Sequence, residues 1–195
     1  MELQNLEDTL GPARLPTGAM MLDHYLCGGL PAGALSELIV PDGRMAPYVS
    51  AIIRANAARQ LAFACLARHR NAVQLPLEPN NVLTVISEEP ENLLLHLHAA
   101  IPTRDLVILW LGQNEEECAS FWSLDRAFDR LSILARISHT VVLLCAAHSA
   151  YPFCAASIRW QPDPQRPSER WLVQVVHSYF YRLPRRMGPQ NQPST

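Results

Sequence analysis

The segment at residues 40–48, VPDGRMAPY, lies where a phosphate-binding loop would be expected. It follows the apolar residues Leu38, Ile39 and Val40 and precedes a stretch whose apolar residues have helical spacing. A working loop of this kind needs glycines whose neighbouring N–H groups wrap the phosphates, a lysine for the β and γ oxygens, and a hydroxyl for magnesium. The segment has a single glycine, Gly43, and the chain contains no lysine. The residues therefore favour a loop that has lost this chemistry.

Acidic residues follow two other apolar segments and could in principle bind a metal ion or activate water. Glu88 and Glu89 follow NVLTVIS, and three glutamates at residues 115–117 follow DLVILWLG. Acidic side chains are also favoured in the first turn of a helix, where the helix dipole stabilises them. We interpret both groups as strand ends and first helical turns.

Histidines and cysteines could also bind a metal ion, but their spacing does not favour it. His96 and His98 are two residues apart in a predicted helix and so do not share a face. Cys145 and His148 form a Cys-x-x-His pair with no second pair nearby. The sequence predicts neither a metal site nor a cofactor.

A cluster of aromatic residues and arginines near the C-terminus could bind a partner. Aromatic rings stack on bases and arginines contact phosphates, so the cluster is consistent with single-stranded DNA binding. A protein-binding surface and a solvated basic strand end remain alternatives. The cluster consists of Tyr179, Phe180, Tyr181, Arg182, Arg185 and Arg186.

Alternating strand-like and helix-like segments must position these residues. This alternation predicts an α/β fold with a mostly parallel central sheet, helices on both faces and a C-terminal antiparallel hairpin. A short helix capped by Thr17 is expected to come first. Strands are predicted at residues 34–40, 81–87, 105–112, 139–147, 155–160 and 171–181, and helices at 48–70, from Pro90 onward, and at 115–137.

Composition limits the class of protein. The chain has 195 residues, of which 49% are apolar and 17% charged, and its formal net charge is -2, so any basic surface must be local. Five scattered cysteines without a CxxC pair favour reduced thiols in the cytoplasm. The acidic, polar start is not expected to be a signal peptide, and the apolar runs are too short to span a membrane. We predict a flexible leader at residues 1–13, one domain at 14–187 and a disordered tail at 188–195.

The segment at residues 14–43 reads RLPTGAMMLDHYLCGGLPAGALSELIVPDG. It resembles the segment that leads into the phosphate loop in the RecA/KaiC superfamily of ATPases. That family has Thr-Gly, a short helix with Leu-Asp, then Gly-Gly-Leu-Pro and Gly ahead of its first strand. VLTVISEEPENLLLHL, DLVILWLG and HTVVLLCAA are similar to the second, metal-binding (Walker B) and fourth strands of that family. The family residues present here are Thr17, Gly18, Leu22, Asp23, Gly28, Gly29, Leu30, Pro31 and Gly33.

The resemblance also shows what the loop lacks. Laid on the family pattern, Val40 and Met45 occupy the positions of the two loop glycines, Ala46 that of the lysine and Pro47 that of the Ser/Thr. Pro41, Asp42 and Arg44 complete the degenerate loop, and Arg44 has a fork too broad to replace a lysine held inside it. The Walker B strand ends in Leu111, Gly112 and Gln113 without the acid that binds magnesium. Glu88 and Glu89 match the carboxylate that orients water in the family, but here they have no site to act on.

The resemblance implies a pseudo-ATPase without a catalytic residue. The chain is most similar to the ImuA-type companions of a bacterial translesion polymerase. This resemblance implies a non-catalytic accessory protein of the DNA-damage (SOS) response. Expected protein partners are a polymerase module, a RecA-type protein or a paralog. Binding of single-stranded DNA and assembly into homo- or hetero-oligomers are also compatible with the resemblance. The alternatives are a RecA-paralog recombination mediator and a SulA-like division inhibitor that binds a tubulin-like protein.

Overall fold

The structure is a computed structural model, and it describes residues 13–41, 43–72, 81–121, 123–148, 156–162 and 171–178. Short helices and strands alternate along these ranges. The strands are β1 (Arg14–Leu15), β2 (Leu30–Pro31), β3 (Ala34–Ile39), β4 (Leu61–Leu66), β5 (Val82–Ser87), β6 (Leu106–Gly112), β7 (Val141–Ala146), β8 (Ala156–Pro162) and β9 (Trp171–Ser178). The α-helices are α1 (Met20–Tyr25), α2 (Ala46–Ala55), α3 (Pro90–Ala100), α4 (Glu115–Ala119) and α5 (Asp125–Ser138).

The main sheet has the strand order β5-β4-β6-β7-β3-β8-β9. Every neighbouring pair from β5 to β8 is parallel, and β8 pairs antiparallel with β9. A separate two-stranded antiparallel sheet joins β1 to β2. The predicted α/β class, with a mostly parallel sheet and an antiparallel pair at its C-terminal end, is confirmed.

Helices cover both faces of the sheet. Successive residues of a strand point to opposite faces, so each interior strand contacts helices on both sides. On one face, Ile108 and Trp110 pack with α1 and α2. On the other face, Leu109 and Leu111 pack with α3, α4 and α5. Strand residues that face helices on both sides explain the continuously apolar sequences of β6 and β7.

The predicted helix at residues 48–70 was wrong in its second half. The helix is α2, which ends at Ala55, and the apolar run LAFACL forms strand β4 between β5 and β6. All residues of β4 are buried. A short, continuously apolar run cannot be assigned to helix or strand by periodicity alone, which is why the sequence did not separate the two elements. Asn56 ends α2 by donating from Nδ2 to the carbonyl oxygens of Ile52 (2.9 Å) and Pro16 (2.7 Å).

The predicted helix at residues 115–137 was also wrong as a single element. It is two helices, α4 and α5, separated by a turn around Phe121. The Ser120 hydroxyl donates to the Glu117 carbonyl oxygen (2.7 Å), and the Phe121 N–H donates to the Cys118 carbonyl oxygen (3.0 Å). Phe121 is 1% exposed. The turn therefore places its aromatic ring in the core, where an unbroken helix would not place it.

Thr17 does not cap α1, whose N-cap is Ala19. Instead, the Thr17 hydroxyl and N–H both donate to Asp23 Oδ1, each at 2.7 Å. Two residues of the family-like segment therefore hold each other across the start of α1.

Candidate functional site

The degenerate loop connects the end of β3 to the start of α2, the position that a phosphate-binding loop occupies. The N–H of Val40 donates to the carbonyl oxygen of Ala146 at the end of β7 (2.9 Å), which fixes the loop to the neighbouring strand. Met45 is the N-cap of α2, and Pro47 lies in the first turn, where its missing N–H leaves no bond unmade. The loop therefore lies between a strand and a helix, and its residue Asp42 lies outside the described residues.

The backbone of this loop bonds to itself. The Gly43 N–H donates to the Val40 carbonyl oxygen, and the Met45 N–H donates to the Gly43 carbonyl oxygen, both at 2.9 Å. Pro41 and Pro47 have no N–H to offer. A phosphate is bound by several N–H groups that point at it together. Here, those of Gly43 and Met45 have partners inside the loop.

Two side chains of the loop, those of Val40 and Met45, belong to the hydrophobic core. Each is 0% exposed and lies in one apolar cluster with Trp110 of β6. Trp110 packs edge-on against Phe63, with ring centroids 6.5 Å apart. Its Nε1 is buried without a hydrogen-bond partner in the described ranges. Apolar side chains thus occupy the region between the loop and the third family strand.

Gly43 brings the loop against the end of β6. Its φ is 71°, a backbone conformation that favours glycine. A Cβ atom on this residue would lie 2.8 Å from the carbonyl oxygen of Gln113, the residue that follows β6. The backbone of the loop is therefore in close contact with the segment that follows β6.

The acidic residues after β6 form the first turn of α4, as the sequence predicted. Asn114 caps this helix, because its Oδ1 accepts a hydrogen bond from the Glu117 N–H (2.9 Å). Glu117 Oε2 in turn accepts from the Gln113 N–H (2.6 Å). The Glu117 carboxylate is thus bound to the backbone at the start of its own helix.

His69 is a buried polar residue that sequence reasoning missed, because β4 was assigned to a helix. It follows β4, is 3% exposed, and has Nδ1 3.5 Å from Glu117 Oε2. The Arg68 Nε donates to His69 Nε2 (3.2 Å), which leaves the ring proton on Nδ1, facing Glu117. Burial lowers the pKa of His69, the Glu117 carboxylate opposes that shift, and the Arg68 guanidinium adds to it. The three side chains link the ends of β4 and β6.

Glu88 and Glu89 lie at the end of β5, at the edge of the sheet, and both are exposed. Glu89 is the N-cap of α3, and its Oε2 accepts a hydrogen bond from Asn92 Nδ2 (3.0 Å). Three strands separate β5 from β3, so four strand spacings place these carboxylates roughly 19 Å from the loop. The structure does not bring them to the loop, and the interpretation as a strand end and first helical turn is confirmed.

The C-terminal cluster from Tyr179 to Arg186 lies outside the described residues, which end at Ser178 of β9. No group of three or more metal-binding side chains occurs within the described ranges. Burial raises the pKa of the Cys145 thiol and that of Cys65, the latter to about 11, as expected of structural thiols. No helix in the described part of the chain is long and apolar enough to cross a membrane.

No protein-family model matches the chain, and no curated protein sequence matches it significantly.

Proposed function

We propose that this chain is a non-catalytic RecA-like protein, a cytoplasmic pseudo-ATPase that works as an accessory or scaffold protein of the DNA-damage response. It acts in translesion synthesis or recombination through contacts with a polymerase module, a RecA-type protein or a paralog. The ordered family-like residues between Thr17 and Gly33 support the lineage. The observation that carries the proposal is the burial of Val40 and Met45, each 0% exposed, where a nucleotide-binding loop would have glycines.

The site lacks each of the elements that phosphoryl transfer requires. Catalysis of this reaction depends on positioning the phosphates and neutralising their charge with a lysine and a metal ion. The chain has Ala46 and Pro47 at the lysine and hydroxyl positions, and Trp110, Leu111 and Gly112 at the end of β6. The internal backbone hydrogen bonds of the loop and the burial of Val40 and Met45 further oppose opening the loop around a phosphate.

A protein that acts by contact needs an accessible surface, and α1 provides one. Met20 is 84% exposed, Met21 62% and Tyr25 47%, whereas Leu22 on the same helix is buried. Exposed methionines adapt to the shape of a partner because their side chains are unbranched and polarisable. This apolar surface supports a role in protein binding, and the polymerase module or RecA-type protein is its proposed occupant.

An ATPase assay of the purified full-length chain tests the first half of the proposal. We expect no hydrolysis above background, with or without single-stranded DNA, because Ala46 and Pro47 replace the lysine and the hydroxyl. Magnesium-dependent turnover that is lost in Glu88→Gln or Glu89→Gln would disprove the pseudo-ATPase proposal.

Co-purification tests the second half. The tagged chain should retain a translesion polymerase module or a RecA-type protein, and Met20→Asp with Met21→Asp should lose it while remaining folded. Changing Ile133→Asp with Ile137→Asp, two isoleucines of α5 that are 59% and 71% exposed, is the matched control. Retention of a tubulin-like division protein in place of these partners would support the division-inhibitor alternative and reject the proposal.

A further inference from the structure

The turns that precede the parallel strands bring together arginines that are far apart in the sequence. Arg54 lies in the last turn of α2, and Arg59 lies in the turn before β4. Arg104 precedes β6, and Arg136 lies in the last turn of α5, before β7. All four are therefore at the edge where the strands begin, and we call them the amino-edge arginines.

Hydrogen bonds connect Arg104 with residues next to Arg59 and Arg136. Arg104 donates from Nη1 to the side-chain oxygen of Gln60 (2.9 Å), the residue next to Arg59. The Arg104 carbonyl oxygen accepts from the Thr140 hydroxyl (2.8 Å), and the Thr140 N–H donates to Ala135, beside Arg136. These hydrogen bonds thus fix the amino-edge segments at the starts of β4, β6 and β7 relative to one another.

The side chains of three amino-edge arginines have no carboxylate partner in the part of the chain that the structure describes. Arg54, Arg59 and Arg136 are exposed, and none of their side chains forms an ion pair or a hydrogen bond within those residues. Asp105, an acid at the same edge, accepts a hydrogen bond from the Gln60 N–H through Oδ2 (2.9 Å).

Acidic side chains lie at the opposite edge of the sheet. They follow the carboxyl ends of β5 and β6 and begin α3 and α4. The exposed ones are Glu88, Glu89, Glu91, Glu115 and Glu116. Exposed arginines, among them Arg70 and Arg126, also lie towards that edge, so its charge is mixed, whereas Arg54, Arg59 and Arg136 give the amino edge a local positive charge that attracts a polyanion.

We infer that the amino-edge arginines bind the phosphate backbone of a single-stranded nucleic acid. The inference rests on the proposed function for its choice of polyanion, since a DNA-damage accessory protein works beside exposed single strands. The row from Arg59 to Arg136 crosses two strand spacings, about 10 Å, which is enough for more than one phosphate. Guanidinium groups bind phosphate oxygens with two parallel hydrogen bonds, and contacts of this kind do not depend on base sequence.

The test is binding of a labelled 30-nucleotide strand to the full-length protein, measured by fluorescence anisotropy over a series of salt concentrations. A deoxythymidine strand and a uridine strand form the two arms, which separate DNA from RNA. We expect the wild-type protein to bind at least one strand with an affinity that falls steeply with salt. The triple variant Arg54→Gln/Arg59→Gln/Arg136→Gln should reduce the slope of log affinity against log salt by about 2, at about 0.7 per lost contact.

Two controls remove the same charge elsewhere. Arg70→Gln/Arg126→Gln/Arg130→Gln changes exposed arginines towards the carboxyl edge, and Arg182→Gln/Arg185→Gln/Arg186→Gln changes the C-terminal cluster. The first should keep the wild-type slope, and the second shows whether the C-terminal cluster adds phosphate contacts of its own. Circular dichroism and the urea midpoint check that each variant is folded.

Other outcomes overturn the inference. They are a wild-type protein that binds neither strand, an unchanged slope in the amino-edge variant, and a slope lost only in the C-terminal variant. Loss of binding to polyglutamate with no change for either strand would reassign the arginines to an acidic protein. None of these outcomes bears on the ATPase and co-purification assays, so the inference and the proposed function can fail separately.

Discussion

At the scale of single residues, Gly43 fixes how the degenerate loop packs. Its φ of 71° favours glycine, and a Cβ would come within 2.8 Å of the Gln113 carbonyl oxygen. Gly33 has a similar φ of 75°, but there a Cβ would meet its nearest atom, Arg136 Cα, at an ordinary 3.5 Å. An alanine at either position would therefore have similar backbone strain, but only at residue 43 would its Cβ clash with a neighbouring atom.

We expect Gly43→Ala to destabilise the protein more than Gly33→Ala does. Both changes carry a conformational cost of about 1 kcal/mol, and only Gly43→Ala must also displace the segment after β6. Urea unfolding of the two variants measures the difference. Equal losses of stability would show that the loop is not in close contact with Gln113.

His69 predicts a pH dependence of stability. Its pKa is lowered in the folded protein, chiefly by burial, so the unfolded chain binds its proton more readily. The contribution of the neutral ring is present above the unfolded pKa of about 6.5 and is lost as the pH falls from there towards the lower folded pKa.

Stability should therefore fall less between pH 7 and pH 5 in His69→Gln than in the wild-type protein. His139→Gln, which changes an exposed histidine, is the control and should keep the wild-type slope. The measurement is the free energy of unfolding in urea at each pH. A His69→Gln variant with the full wild-type pH dependence would contradict the pKa shift.

At the scale of elements, β4 is an interior strand and β5 is an edge strand. β4 pairs in parallel with β5 on one side and β6 on the other, whereas β5 is at the end of the strand order. In a parallel strand, successive residues form their hydrogen bonds on alternate sides. Every amide of β4 therefore has a partner strand, and alternate amides of β5 face outward.

Hydrogen exchange followed residue by residue should distinguish the two strands. We expect slow exchange at successive amides of residues 62–66 and alternating slow and fast exchange along residues 82–87. Alternating protection in β4 would show that the sheet ends there.

The sequence predicted most of the sheet because β6 and β7 are almost entirely apolar, β3 is mostly apolar, and polar turns lie between the strands. It did not predict β4, since Leu61, Ala64 and Cys65 fit a helical face as well as a buried strand. The helical spacing of apolar residues continues from α4 into α5, so the sequence did not indicate the turn at Phe121. The sequence placed a loop after β3, but the internal hydrogen bonds of that loop depend on φ at Gly43 and on contact with Gln113. Contacts between distant segments are not contained in any local pattern.

At the scale of the whole molecule, a working nucleotide site would need parts that now lie on separate elements. The loop is at β3, the missing metal acid belongs at the end of β6, and Glu88 and Glu89 are at the end of β5, roughly 19 Å from the loop. The amino-edge arginines and the charged residues of the carboxyl edge also come from distant parts of the chain, and only the folded sheet brings each group together. The formal net charge of -2 does not reveal this arrangement.

Restoring two loop residues should therefore not restore ATP hydrolysis. We expect Ala46→Lys with Pro47→Thr to remain inactive, because Val40 and Met45 still fill the loop and β6 still lacks an acid. Hydrolysis is measured by phosphate release with magnesium, and nucleotide binding by calorimetry. Recovered turnover in this double variant would show that the remaining parts of the site are intact.

The buried loop also bears on how such a protein can evolve. Replacing Met45 by glycine, a first step back towards a phosphate-binding loop, would remove a side chain that is 0% exposed and cost about 2–5 kcal/mol, a large part of the stability of a typical domain. Nothing would be gained in return until Val40, Ala46, Pro47 and the end of β6 had also changed. On the proposed descent, selection on single substitutions would oppose each early step, so the packing of two apolar side chains makes the loss of the ancestral activity effectively irreversible.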